Sequence, residues 1–362
     1  PPELTESMAA DQSFTFDWDG FREAMDEHSR ESGSEQLELF KTGPVEQLKR
    51  VLLETPFLGY DSEEATAEIK GIIVDDELCE QFAETGETAV VRLVLEQTPF
   101  YGESGGQVGD TGTISSDGFQ FVVTDTQKDG DVVLHTGYLA SGTVEIGSTV
   151  TATVDRDQRQ GIRRAHSATH ILHHSLQKHL GSHAQQQGSK VDRDVLRFDF
   201  TNLEPIPSGA LVAIEETVNE RVAAGEPIKW DVLPLQEARA VGAMMLFGEK
   251  YPDPVRMVTM GDFSRELCGG THLANTADVL AFEIVAEEGV SAGTRRVTAF
   301  TGVKASENAQ RTLDVAKSAA DILGVDQSQL LAAATRVFNR VRDLKKAVAS
   351  GGKPKDEQVE LP

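Results

Sequence analysis

The sequence predicts an α+β protein: a small β-barrel, then an α+β domain, with helical N-terminal and C-terminal segments. Three patterns predict it. Between Gly71 and Val154, short β-branched runs follow one another, separated by Gly, Asp and Ser clusters. From Arg156 to about residue 302, helical and strand-like stretches alternate. After Lys304 only the helical period remains, with apolar residues at Leu313, Ala316, Ala320 and Leu323. The divisions that follow are residues 1–70, 71–155, 156–302 and 303–362.

Taken in order, residues 1–70 read as helices and loops. FREAMDEHSRESG puts Phe21, Met25 and His28 at helical spacing and stops near Gly33; GPVEQLKRVLLE is a second, short helix. The barrel strands are GIIVDDELC, TAVVRLVLE, GFQFVVTDTQ, VVLHTGYL and GSTVTATVD. Among them lies TPFYGESGGQVGD, residues 98–110. Its glycines suit turns and close backbone approach, and without a Lys-Ser or Lys-Thr pair it reads as a loop rather than a phosphate cradle. Asp155 is placed to cap a helix running from Arg156 to about Leu180, with Gly181 as its stop. VLRFDF is a strand, and a helix covers Ser208 to about Ala224. PIKWDVLPL is a strand and LQEARAVGAM a short helix. VRMVTMGDFSREL leads into CGGTH, and VLAFEIVAEEGVSAGTRRVTAFTG supplies two strands around a tight turn. LLAAATRVFNRVRDLKKAVAS extends the C-terminal helices into a hairpin or the start of a coiled coil, and GGKPKDEQVELP trails off polar.

A chain of 362 residues with 39% hydrophobic and 26% charged residues can bury a core. No apolar run reaches the ~20 residues of a membrane span, and no signal peptide opens the chain. Pro1 and Pro2 begin it in the manner of a chain cut from a longer one. Two cysteines, Cys79 and Cys268, make no disulfide framework, and the expected home is a reducing cytoplasm. The net charge of −25 argues against generic binding to a polyanion. A nucleic-acid partner would have to use local patches: Arg156, Arg159, Arg163 and Arg164, or Arg193, Arg197, Arg295 and Arg296.

The chemistry concentrates in two distant segments. AHSATHILHH holds His166 and His170 four apart, which places both imidazoles on one helix face, a turn from each other. CGGTH holds Cys268 and His272 four apart around two glycines, which favours a tight loop turning both side chains inward. Together they offer four ligands of the kind Zn²⁺ takes in a tetrahedron. His173 and His174 are alternatives to the first pair, with at least one of them expected simply to decorate the helix; His179 and His183 read as surface or packing residues. A zinc protease is excluded because Ser167 stands where a general-base Glu would be needed. A Cys–His nucleophile pair, Cys268 with His272 or His166, remains open on these residues alone.

These motifs resemble the alanyl-tRNA synthetase family. HSATH followed by CGGTH resembles its editing domain, a relative of which occurs in threonyl-tRNA synthetase and in free-standing editing proteins. TPFYGESGGQVGD is similar to the signature of the barrel that precedes that domain in the alanyl enzyme. GSKVDRDVLRFDF, GAMMLFGEKY, MGDFSRELCGGTH and GVSAGTRRVTAFTG are similar to it in the same order, and PPELTE resembles the sequence just beyond its aminoacylation region.

The resemblance implies that this portion of an alanine–tRNA ligase hydrolyses tRNA(Ala) mischarged with serine or glycine. It implies one Zn²⁺ per chain on His166, His170, Cys268 and His272, either organising the pocket or activating water. Thr169 would read the serine hydroxyl and Gln186 would lie near the substrate, while Arg163 and Arg164 are candidates to meet the tRNA acceptor end. ATP and Mg²⁺ belong to an aminoacylation region upstream, and a tRNA-binding globule lies downstream. Neither is in these residues, so charging of tRNA is not expected of this chain alone. Two other readings stand beside it: a free-standing trans-editing hydrolase, and a structural zinc module that only binds tRNA. The helical tail offers a route to an oligomer, and no membrane partner is expected.

Overall fold

The computed structural model describes Gly20, residues 43–245 and residues 251–350. The helix expected at FREAMDEHSRESG, residues 246–250 of GAMMLFGEKY and the polar tail lie outside the described residues. The chain divides into two compact units, one up to Gly302 and one from Val303 onward.

Within the described stretch from residue 43, the first element is a single helical turn, α1 (Pro44–Leu48), where a longer helix was expected. Leu48 is buried with Ile73, Val94, Val132 and Leu134, and Val45 and Leu52 pack partly against them. Val51 and Leu53 face solvent, so a further turn would gain little burial. Nine strands follow: β1 (Glu64–Val74), β2 (Glu77–Cys79), β3 (Gln81–Phe82), β4 (Gly86–Leu95), β5 (Gly112–Ser116), β6 (Phe119–Asp129), β7 (Val132–Gly142), β8 (Val144–Glu145) and β9 (Thr149–Val154). Six of them close into an antiparallel barrel in the order β1-β4-β7-β6-β5-β9, with β9 returning to β1. β1 makes the closure: Glu64–Glu68 pair with β9, and after a register shift at residues 69–71 the rest pairs with β4. GIIVDDELC is two strands rather than one. Asp75 and Asp76 both take positive φ, 47° and 67°, and turn β1 back into β2. Ile69, Ile72, Leu93, Leu95, Ile114, Phe121 and Leu139 fill the barrel with no exposure.

Asp155 then caps α2 (Arg156–Leu180) by accepting from Gln158 N at 3.0 Å. From Ala165 to His173 every residue of α2 is buried, so this is a helix surrounded by protein and not an amphipathic surface helix. It packs with α3 (Ser208–Ala224) against a four-stranded antiparallel sheet in the order β10-β11-β16-β15: β10 (Gln186–Asp192), β11 (Val195–Thr201), β15 (Phe282–Ser291) and β16 (Thr294–Thr301). A separate three-stranded sheet, β12 (Ile228–Leu233), β13 (Val255–Met260) and β14 (Ser264–Leu267), carries the chain into CGGTH; the short helix α4 (Leu235–Ala240) follows β12.

The barrel and this domain meet through a buried charge pair. Arg159, without exposure in the first turn of α2, grips Asp110 of the 98–110 loop with two guanidinium nitrogens. Its other hydrogen bonds go to the carbonyls of Gly59 (2.9 Å) and Pro99 (2.8 Å). Asp110 also accepts from Tyr101 N at 2.6 Å. Every charged atom of the pair is satisfied, which is the condition for ions to be tolerated in a core.

The second unit takes in α5 (Gly302–Leu323) from Val303 onward and α6 (Leu330–Ala349), broken by Gly324 and a 3₁₀ turn (Gln327–Gln329). Both helices expose apolar side chains, among them Ile322, Leu331 and Phe338. Among the described residues no helix is long and apolar enough to cross a membrane.

The barrel core contains one titratable imidazole that predicts an acid response. His135 of β7 bonds Leu93 O through Nδ1 at 3.0 Å and the Thr98 hydroxyl through Nε2 at 2.7 Å. Burial lowers its pKa to about 4, against the pull of the Leu93 bond. An unfolded histidine titrates near 6.5, so as pH falls below that value the unfolded chain takes up a proton that the folded chain refuses. The stabilising contribution is present above pH ~6.5 and is lost as pH falls toward ~4, about 3 kcal/mol in all. Urea unfolding should show the stability difference between wild type and His135→Gln shrinking by about that amount between neutral pH and pH ~4. A difference that stays constant with pH would contradict a neutral buried ring.

Candidate metal centre and its cavities

α2 places His166 and His170 one turn apart, their rings stacked with centroids 5.5 Å apart. The loop after β14 brings Cys268 and His272 to the same point. The four donor atoms lie within 4.8 Å of one another. Cys268 Sγ is 3.3 Å from His166 Nε2 and 3.3 Å from His272 Nε2. A sulfur and a nitrogen sharing one Zn²⁺ at ~2.3 and ~2.0 Å with tetrahedral angles would be about 3.5 Å apart, so these spacings fit a common ion. The Nε2 of His170 is buried and makes no hydrogen bond among the described residues. Such an orphan needs a partner that the protein itself does not provide.

Each imidazole is aimed by a second group at Nδ1. Gln107 Oε1 meets His166 Nδ1 at 2.7 Å, Glu266 Oε2 meets His170 Nδ1 at 2.9 Å, and Ser167 Oγ meets His272 Nδ1 at 3.2 Å. With Nδ1 so engaged, Nε2 is the atom each ring offers to a cation, which at His170 would take the place of a proton. The loop is strapped as firmly. Thr271 N donates to Gln107 Oε1 at 2.9 Å, and Gln107 Nε2 donates to Thr271 Oγ1 at 3.0 Å. Arg256 Nη1 donates to the carbonyls of Cys268 (2.7 Å) and Gly270 (2.9 Å), and Tyr60 OH to that of Gly269 (2.5 Å). Gly270 has no room for a side chain: a Cβ would lie 2.0 Å from the His166 ring.

The electrostatics favour a cation. Burial alone would raise the Cys268 thiol, but the imidazoles of His166 and His272 outweigh it and hold the thiol well below its ordinary range. Burial likewise opposes ionisation of Glu266, and His170 overrides it, so the carboxylate stays charged. Burial also lowers His170, yet the facing Glu266 carboxylate lifts it to about 10. Burial, with His166 alongside, pushes His272 down to about 3, leaving a neutral ring with a free lone pair.

Two cavities flank the loop, with Tyr60 and Arg256 in the wall of both. One, of about 500 Å³, reaches His166, His170 and Cys268 and is lined also by Thr169, Gln186 and Ser189. Thr169 is buried, not on the helix surface, and donates its hydroxyl to Ala165 O at 2.9 Å. Of the three consecutive glutamines only Gln186 lines this cavity; Gln185 and Gln187 are exposed and bond Ser182 O and Thr201 Oγ1. The second cavity, about 540 Å³, lies on the side of His272.

Three expectations need correction. His173 does not decorate the helix: it is buried, 3.5 Å from Glu266, and His174 is half-buried against Phe263. Six of the eight arginines are not an open basic patch, while Arg193 and Arg197 are exposed and form no ion pair among the described residues. Arg156 and Arg163 bond Glu63, Arg159 is buried, and Arg164, Arg295 and Arg296 each grip one carboxylate with two nitrogens: Asp194, Glu287 and Asp199. The 98–110 loop is more than a connection. Gly106, at φ 83°, lets the loop press on β10, where Val191 N donates to Gly106 O and Val108 N donates to Val191 O, and so delivers Gln107 to His166. Gln107, Glu266, Tyr60 and Arg256 were not singled out from the sequence. The one readable sign was a polar residue directly after two glycines or two places before the CGGTH run.

Comparison with known proteins adds a consistent pattern. Residues 1–158 match the model of tRNA synthetases class II (A), and residues 255–298 match that of the Threonyl and Alanyl tRNA synthetase second additional domain. The chain is 54% identical to the alanine–tRNA ligase of Rhodopirellula baltica over 97% of its own length and 38% of that protein's. It is 40% identical to the alanine–tRNA ligase of Dichelobacter nodosus, covering 40% of it, and 40% identical to that of Saccharophagus degradans, covering 39%. The chain thus spans about two-fifths of the length of these relatives.

The crowding at Gly270 gives a test of the donor set. Gly270→Ala should displace the His166 ring and lower metal affinity by about 10- to 100-fold, the usual scale for disturbing ligand support. Competition with a chromophoric chelator measures this, with circular dichroism to check that the domain stays folded. Unchanged affinity in a folded variant would contradict the close approach.

Proposed function

The chain belongs to the alanine–tRNA ligase family, and from that premise we propose that this part of it is an editing site. It hydrolyses the ester joining serine or glycine to tRNA(Ala), with one Zn²⁺ on His166, His170, Cys268 and His272. One observation carries the reading: four donors converge on one point, three of them imidazoles aimed through Nδ1, and three of the four, His166, His170 and Cys268, border a cavity that also holds Thr169 and Gln186. The need for such a site is physical. A pocket shaped for alanine cannot reject glycine strongly, because one missing methylene is worth only ~1–3 kcal/mol, and serine adds merely a hydroxyl.

The residues divide the work. Glu266 keeps the proton on His170 Nδ1, and Gln107 does the same for His166, so both rings present Nε2 to the cation. A zinc ion in this donor set would supply Lewis acidity and a fixed positive charge at the edge of the cavity. Thr169 gives its own proton to Ala165 O, so its lone pairs remain for the ligand. They accept from a seryl hydroxyl, and alanine in the same place leaves them unpaired. Gln186, tied to Ser189 Oγ at 3.3 Å, is the second polar group at the substrate. A cysteine nucleophile with a single oriented base fits less well, since two Nε2 atoms meet Cys268 Sγ at equal distance. The partner is the acceptor end of mischarged tRNA(Ala), met in the cytoplasm. Joining alanine to that tRNA with ATP and Mg²⁺ is proposed for the whole protein.

Metal analysis and deacylation on one preparation test this. About one zinc per chain is expected, with the ester of Ser-tRNA(Ala) decaying well above its rate in buffer. Thr169→Val should lower kcat/KM on the seryl ester by about tenfold or more. Ester lifetimes equal to those in buffer would reject the activity, and absence of zinc would reject the metal.

A further inference from the structure

The cavity on the side of His272 has no part in the reading above, yet it is built from groups that bind nucleotides. Its wall is an aromatic and guanidinium cluster. Arg256 lies 4.2 Å over the Tyr60 ring and 5.0 Å from the centre of Trp230, whose ring is 5.6 Å from Tyr60. Trp230 is held from β12 yet remains 40% exposed, an indole with area left to cover. Arg163 and Arg256 also line the cavity, and the Nε of each is buried without a hydrogen bond among the described residues. On the rim stands Leu280, 60% exposed, at φ 71° and ψ −82°. That is a strained γ-turn conformation for a branched side chain, and strain of this kind is retained where a site needs it. Of the three arginines at this cavity, Arg163 and Arg164 are each held by a carboxylate, Glu63 and Asp194, while Arg256 has none among the described residues.

We propose that this cavity takes the single-stranded nucleotide preceding the esterified one, with its base against Trp230 and its phosphate at the Arg163 and Arg256 edges. Base–aromatic stacking with guanidinium donors is how single strands are held without sequence reading. The two cavities share Tyr60 and Arg256 in their walls, and His272 of the donor set lines this one, so a strand held here has its terminus beside the donor set. The inference rests on the editing reading for its choice of ligand, and its test is arranged to fail separately.

Binding decides the inference without hydrolysis. The dinucleotide cytidylyl-3′,5′-adenosine should quench the fluorescence of Trp230, adenosine alone should quench it far less, and Trp230→Phe should remove the signal. Kinetics add a second readout. Trp230→Ala should lower kcat/KM about tenfold on a seryl ester of an RNA hairpin with a single-stranded 3′ end. It should leave hydrolysis of 3′-O-seryl-adenosine unchanged, and Trp230→Phe should restore most of the loss. No preference for the dinucleotide, or an equal fall on both esters, would overturn the subsite. Dinucleotide binding with no hydrolysis of either ester would keep it and reject the editing reading instead.

Discussion

The buried pair of Arg159 and Asp110 is the constraint on which the site rests. Losing one partner would leave a charge in the core, a cost of about 3–5 kcal/mol, so the first turn of α2 is effectively locked to the barrel. His166 and His170 lie seven and eleven residues further along the same helix, and their positions follow from that lock. Asp110 also closes the loop that carries Gln107, which reaches both His166 and Thr271. One barrel loop therefore fixes the helix, aims a ligand and holds the second ligand loop. The barrel is a structural part of the candidate centre, although none of the four donors comes from it.

A thiol, a carboxylate and three imidazoles gathered together, buried or half-buried, would be costly without compensation. The directions of their shifts agree on how the cost is met. Cys268 and Glu266 are held as anions, and His272 is held neutral. A divalent cation neutralises this arrangement and gives the orphaned His170 Nε2 its partner. The same low-dielectric setting makes the cavity discriminating, because an acceptor such as Thr169 Oγ1 cannot turn to water when a ligand fails to pair with it.

Much of this was legible in the sequence where the signal is local. The ends of α2 follow from the Asp155 cap and Gly181, and the two pairs of metal donors follow from i, i+4 spacing and a Gly-Gly turn. Strands with few apolar residues escaped: β5 reads GTISS and β10 reads QQGSKVD, and both belong to sheets only through their neighbours. The turn at Asp75 and Asp76 lacks the glycine that would have announced it. Pairings across distance were invisible for a different reason. Glu266 with His170, Glu63 with Arg156 and Arg163, and Arg159 with Asp110 are separated by tens of residues, and nothing in the local pattern selects one carboxylate over another. The arginines therefore looked like a patch for RNA, while the exposed Trp230 drew no notice.

The central claim is that two segments a hundred residues apart close around a single ion with one sulfur and three nitrogens. Zinc K-edge X-ray absorption on the purified chain measures that shell directly. The account predicts one sulfur at ~2.3 Å and three nitrogen scatterers at ~2.0 Å. A shell with no sulfur, or with more than one, would contradict it.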